Sequence, residues 1–303
     1  MTRAGEPRYD YRTSATDRSA VPRSKASPKR SAASGAAHAG PPADPGNTLF
    51  RGGDPDFMTS LARGLHVIRA FAGSEGRLSI ADLSRATGLT RAVVRRCLYT
   101  LRELGYAASD GRAYCLQPKI LSLGYSYLCT APIAIAAQPV LKELSARLGE
   151  VSTAAVLDEG TVVYVARASA QRIMSVTLGV GSRLPAYCTA LGRVLLAGLT
   201  PEQAAAELAR AELVAHTRFT VTSRQRLAEI LAQVRADGYA LNDQELEIGL
   251  RSIAVPVHNV VGHAVAAMNV SAQASRLSRR ELIEDVLPPL RAAAERLGSQ
   301  LAP

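Results

Sequence analysis

No run of apolar residues in this chain approaches the roughly 20 needed to span a bilayer as a helix. The opening residues, with Arg3, Glu6, Arg8 and Asp10, also lack the charged-then-apolar order of a secretory leader. A cytoplasmic protein with no membrane partner is expected. Four cysteines occur, Cys97, Cys115, Cys129 and Cys188, without a CxxC pair or a nearby Cys/His pair, which argues against a zinc site or a disulfide framework. Reduced thiols are expected, with neither a metal nor a cofactor. Tryptophan is absent and there are only four phenylalanines, so an apolar slot for a ligand would have to be built from Leu, Val and Tyr. Cys188, just before a predicted helix, is the one nucleophile candidate, with His258 or His263 as base. No local hydrolase motif surrounds it, and a half-buried structural cysteine is the commoner reading.

What is present in excess is positive charge. The net charge of +10 favours a polyanionic partner, and its distribution says more than its size. Lys and Arg outnumber Asp and Glu 9 to 6 over residues 1–56, 9 to 4 over residues 57–118, and 18 to 16 in the remainder. The middle segment is the densest, and all nine of its cations are arginine, the side chain suited to bidentate contacts with phosphate and guanine.

Residues 1–56 are rich in Ser, Ala, Pro, Gly and Arg without sustained periodicity, and are expected to form a disordered tail. From Phe57 the pattern becomes helical. Leu61, Leu65, Ile68 and Phe71 mark a first helix, and Ser79 caps a second carrying Ile80, Leu83 and Ala86. After the turn Thr87-Gly88-Leu89-Thr90, Thr90 caps a third from Arg91 to Leu104. Two short extended runs around Asp110-Gly111 then read as a two-residue hairpin. Three helices and a hairpin make a winged helix-turn-helix over 57–117, with a linking helix over 118–130 on Ile120, Leu121, Leu123, Tyr125 and Leu128.

Residues 131–303 alternate helices with strands. A helix is expected over 134–148, a hairpin through Asp158-Glu159-Gly160, and further strands over 173–178, 251–257 and 263–270. Another helix is expected near 223–236, and capping boxes at Thr200-Gln203 and Ser278-Glu281 start two more. The fold class is α+β with a largely antiparallel sheet.

On the third helix, Val94, Cys97, Leu98 and Leu101 share one side, while Ala92, Arg95, Arg96 and Tyr99 share the other. A free face with paired arginines and a tyrosine near the helix start suits the major groove of double-stranded DNA. The candidate DNA-reading residues are Thr90, Arg91, Ala92, Arg95, Arg96, Tyr99 and, at the wing tip, Arg112. In the second domain, Gly179 to Pro185 approaches a helix starting near Thr189. Backbone N–H groups at that start attract anions, Arg183 can fork onto a carboxylate, and Tyr187 can wall an apolar slot.

The segments Phe57 to Leu65, Ile80-Ala81-Asp82-Leu83 with Thr87-Gly88-Leu89, and Arg96-Cys97-Leu98-Tyr99-Thr100-Leu101 resemble the DNA-binding half of IclR-type regulators. Leu184 to Ala197, Gly238-Tyr239-Ala240 and Gly249 to Val257 are similar to the ligand-domain signatures of that family, so the resemblance spans roughly residues 57–300. It implies a GAF-like effector domain and a homodimer, often paired into tetramers, on an inverted-repeat operator. It also implies a pocket completed near Asn242 and Asp243 and by Ser252, Asn269 and Ser271. The long Arg183 to Thr189 stretch looks closest to the subgroup controlling protocatechuate, 4-hydroxybenzoate and β-ketoadipate catabolism. The implied effector is a small carboxylic acid, with β-ketoadipate first, protocatechuate second and 4-hydroxybenzoate third. A DNA binder with no effector is the rival reading, and it predicts DNA binding unchanged by acidic metabolites.

Overall fold

The computed structural model describes residues 54–72, 74, 76–169 and 178–301, all within the compact unit Ala39–Pro303. The expected tail apart from its last three residues, and the strand expected from Ile173 apart from Leu178, lie outside the described residues.

The first three helices are α1 (Thr59–Arg69), α2 (Ile80–Thr87) and α3 (Arg91–Glu103). Ser79 and Asp82 form a reciprocal capping box at the start of α2, and Gly88 leaves that helix in the left-handed region at φ 67°. The turn into α3 is held from three sides. Thr87 donates its hydroxyl to the Leu83 carbonyl, Ser84 donates to the Leu89 carbonyl, and His66 Nε2 lies 3.2 Å from the Thr87 carbonyl. Val67, Phe71, Leu83, Leu89, Val94, Leu98 and Leu101 form the core beneath the helices.

The wing is β1 (Ala107–Ser109) against β2 (Tyr114–Leu116), with Leu78 bridging to Tyr114 as a third edge. Its loop holds four residues rather than the two expected, because the last pair is Ser109 with Tyr114. Asp110 accounts for the longer loop: its Oδ1 accepts from the backbone N–H of Arg112 (2.9 Å) and of Ala113 (2.8 Å), an Asx turn that closes the tip. Arg77 pairs with the same carboxylate and ties the tip to the base of the wing.

A 3-10 turn over Pro118–Ile120 leads into α4 (Leu121–Thr130), which is followed by α5 (Pro132–Leu148). The hairpin β3 (Val151–Asp158) and β4 (Thr161–Ala168) turns through Glu159 and Gly160, both left-handed, as expected at Asp-Glu-Gly. Then come β5 (Arg183–Pro185), α6 (Ala190–Ala197), α7 (Pro201–Arg210), α8 (Arg224–Asp237), β6 (Ala240–Asp243), β7 (Leu250–His258) and β8 (Ala264–Gln273). The last helix begins as α9 (Arg279–Glu281), loosens into a π-helical turn and continues as α10 (Leu287–Gly298).

These strands form one antiparallel sheet in the order β5-β4-β3-β8-β7-β6. Helices α5 and α10 cover one face through Leu141, Leu144, Val255, Met268, Leu290 and Leu297. Helices α6 and α8 occupy the other side, where the sheet contributes small residues, Ala155, Ala240, Ala254 and Ala267. Small residues draw α6 close, and Gly192 completes the approach: a Cβ there would lie 2.2 Å from the Ala186 Cα.

Candidate functional site

The first candidate site lies on the winged domain. Val94, Leu98 and Leu101 are buried, which turns Arg91, Ala92, Arg95, Arg96 and Tyr99 outward. Thr90 accepts from the Val93 N–H, so its hydroxyl positions the start of α3. Between α3, the start of α2 and the wing runs a cleft of about 560 Å³ lined by Arg91, Arg95, Tyr99, Arg102 and Arg112. Arg96 is exposed on the same helix but outside that lining. Arg102 is the member that sequence reasoning missed. Its guanidinium lies 3.0 Å from Glu103 and 5.4 Å from the centre of the Tyr99 ring, and so holds the tyrosine. Its position in the last turn of α3, three residues beyond Tyr99, was the available signal.

Arg77, Arg85 and Arg102 have carboxylate partners. Among the described residues, the side chains of Arg91, Arg95, Arg96 and Arg112 have none. Four unpaired cations on one face of a small domain repel one another, an arrangement suited to a polyanion that neutralises them.

The second candidate site lies on the α6 side of the sheet. Residues directly opposite in antiparallel strands point the same way. Asn242, Ser252 and Ser271 therefore form one row across β6, β7 and β8, and Ala240, Ala254, Asn269, Thr153 and Arg167 form the next across five strands. Asn242 fixes the direction, because its Nδ2 donates to the Cys188 carbonyl just before α6 (2.9 Å). Asn269 donates to the Ser271 hydroxyl at 3.0 Å, yet its buried Oδ1 has no partner. A buried, unsatisfied amide oxygen is rare in a native fold and marks a place where another donor belongs.

Of the seven effector residues expected from sequence, the structure sets Ser252, Asn269 and Ser271 in adjoining rows and gives the other four partners within the chain. The Arg183 guanidinium is on the Asp158 side chain (2.5 Å) and carbonyl (3.0 Å), so its fork is occupied within the chain. Thr189 accepts from Gly192 and donates to the Pro185 carbonyl, acting as the α6 cap. The Tyr187 hydroxyl donates to the Val214 carbonyl (2.7 Å) and accepts from its N–H (2.9 Å), which consumes its polar capacity. Asp243 is gripped by Arg251 at 2.8 and 3.2 Å. Burial would raise its pKa, but this pairing holds it below the ordinary carboxylate value.

The nucleophile candidate lies in the core. Cys188 is fully buried, and burial, reinforced by Glu245, pushes its thiol up to about 12. His258 and His263 flank the β7–β8 turn, and His258 stands six residues along β7 from Ser252, roughly 20 Å away. Among the described residues, no group of three or more His, Cys, Asp and Glu side chains could hold a metal, and no single helix is long and apolar enough to cross a membrane.

Comparison with known proteins matches both domains. The IclR helix-turn-helix domain matches residues 60–111, and the bacterial transcriptional regulator IclR C-terminal domain matches residues 125–299. The Pca regulon regulatory protein of Pseudomonas putida is 50% identical over 82% of this chain and 86% of its own length. A transcriptional regulator from Rhodococcus has a crystal structure with 45% identity and a TM-score of 0.72, covering 81% of this chain and 98% of that one. The inducer-binding domain of a double mutant of the Acinetobacter PobR transcription factor, in complex with 3-hydroxybenzoic acid, is 35% identical with a TM-score of 0.53. It covers 55% of this chain and 98% of that one.

Proposed function

This chain belongs to the IclR family of bacterial transcriptional regulators, and from that premise we propose that it controls genes for the catabolism of aromatic acids, through protocatechuate and β-ketoadipate. Residues 57–117 read DNA, 118–130 link, and 131–303 bind a small carboxylic acid whose presence changes operator affinity or promoter output. The observation that carries the DNA-reading part is the set of four unpaired arginines on α3 and the wing. The acid-sensing part rests on the polar rows beside Cys188 and on the likeness to regulators whose names refer to the Pca regulon and to a hydroxybenzoic acid complex. A ligand shifts DNA binding only through unequal affinity for two arrangements of the protein.

Calorimetry with β-ketoadipate, protocatechuate and 4-hydroxybenzoate, followed by DNA binding in the presence of each acid, tests the reading. At least one acid is expected to bind at or below millimolar concentration and to change DNA affinity. Binding by none of the three would overturn the effector assignment and return the protein to an effector-free DNA binder.

The working unit is a homodimer on an inverted repeat. The ten residues of α4 carry no charge and none is buried; Leu121 is 72% exposed and Tyr125 66%. Leu61 and Leu65 on α1 are exposed as well. Apolar surface of this kind marks a protein interface, and a two-fold dimer doubles the bases read. Sedimentation is expected to give a dimer at micromolar concentration, and Leu123→Glu with Tyr127→Glu a monomer with weakened operator binding. A monomeric wild-type protein, with and without DNA, would refute this.

A further inference from the structure

Among the described residues, the cations around the second site are already taken, with one exception. Arg183 is on Asp158, Arg193 on Glu245, and Arg251 on Asp243 and on the carbonyls of Ala274 and Leu277. Arg167 differs. Its backbone carbonyl accepts from Gln138, but among the described residues its guanidinium has neither a hydrogen bond nor an ion pair, although the residue is half-buried on β4. Register puts it directly opposite Thr153, which is in turn opposite Asn269. Its positive charge also bears on the Tyr164 hydroxyl: burial pushes that phenol up to about 12, and Arg167 opposes the rise. Residues directly opposite in antiparallel strands leave the sheet on one face, so Arg167 shares the face of the polar rows, as does Tyr164 in the core on the α6 side.

Resting on the effector reading above, we propose that Arg167 binds the carboxylate of the acid, while Asn269, with Ser271, binds a polar group at the acid's far end. A half-buried cation without a counter-ion is unfavourable unless an anion completes it. A guanidinium also forks onto a carboxylate through two parallel N–H···O bonds. From β4 to β8 is two strand spacings, roughly 10 Å, which suits an acid a few carbons or one ring long. The far end meets Asn269, whose buried amide keeps one atom without a partner whichever way it is turned. Between Arg167 and Asn269 the row holds only Thr153, a small polar residue, while Ala254 and Ala240 lie beyond Asn269 and pack with α6.

The test is calorimetric titration of the full chain with protocatechuate, β-ketoadipate and 4-hydroxybenzoate, using wild type, Arg167→Gln, Arg167→Lys and Arg183→Gln. For each acid that the wild type binds, Arg167→Gln is expected to weaken affinity at least tenfold and Arg167→Lys less, while Arg183→Gln stays within about twofold. The neutral analogue 4-hydroxybenzamide separates charge recognition from packing: wild type prefers acid to amide, and Arg167→Gln loses that preference. Should Arg167→Gln fail to fold by circular dichroism, Asn269→Asp takes its place. It sets a carboxylate in the same row and is expected to weaken acid binding tenfold. Unchanged acid affinity in a folded Arg167→Gln or Asn269→Asp protein overturns this inference and leaves the effector reading standing. Failure of the wild type to bind any of the three acids overturns both.

Discussion

The Arg95→Ala, Arg96→Ala double variant is expected to lose sequence-specific DNA binding while keeping its fold. Both side chains project from the exposed face of α3, and neither has a partner to lose among the described residues. A good base contact is worth roughly 1–3 kcal/mol, so two represent a loss of roughly 30-fold to 10⁴-fold. The measurement is fluorescence anisotropy on the site that the wild-type protein protects, with a scrambled duplex as reference and salt concentration varied. Arg112→Ala at the wing tip is expected to behave differently, weakening both duplexes alike and lowering the salt slope by about 1, as a phosphate contact does. Wild-type discrimination in the double variant would remove α3 as the reading element.

The second large effect is expected in stability. Arg193 and Glu245 are both buried and meet through two hydrogen bonds of 2.5 and 2.7 Å. Arg193 Nε donates to the Tyr187 carbonyl, and Glu245 also accepts from the Val221 N–H. The Glu245 carbonyl takes the hydroxyl of Thr220. The pair therefore joins α6 to the loop after β6 and to the segment before α8. Arg193→Ala leaves a carboxylate buried without its counter-ion and is expected to destabilise by about 3–5 kcal/mol. Combining Arg193→Met with Glu245→Leu should recover part of that loss, since an apolar pair avoids the desolvation of two ions. Recovery stays incomplete because the Val221 N–H and the Tyr187 carbonyl lose their partners. Urea denaturation of the three proteins checks this; a loss under about 1 kcal/mol in Arg193→Ala would show the pair to be energetically idle.

Arg193 is the one cation of the apolar helix α6, and nothing near it in the sequence marks Glu245 as its partner. The same division runs through the molecule. Ser79 with Asp82, Thr90 with Val93, Thr200 with Gln203, Ser278 with Glu281 and the turn at Glu159-Gly160 each rest on residues within a few positions of one another. Capping and turn chemistry act at that range, so the sequence by itself determined where these helices and hairpins begin. It also determined which face of α3 is free, because helical periodicity sorts Val94, Leu98 and Leu101 from Arg95, Arg96 and Tyr99.

The tertiary structure decided which polar groups are available to a ligand. Arg183 reads as a free loop cation until the short strand β5 brings it onto Asp158, 25 residues away. Thr189 reads as the start of an anion-attracting helix and Tyr187 as a wall residue, and only the folded chain shows their hydroxyls on Pro185 and Val214. Arg167 looks like one more cation on an alternating strand until strand register sets it in a row with Thr153 and Asn269. A side chain's type is local information, whereas its freedom depends on every group that the fold brings within hydrogen-bond distance. Sequence spacing carries no measure of that distance once strands pair across tens or more than a hundred residues, as β3 does with β8.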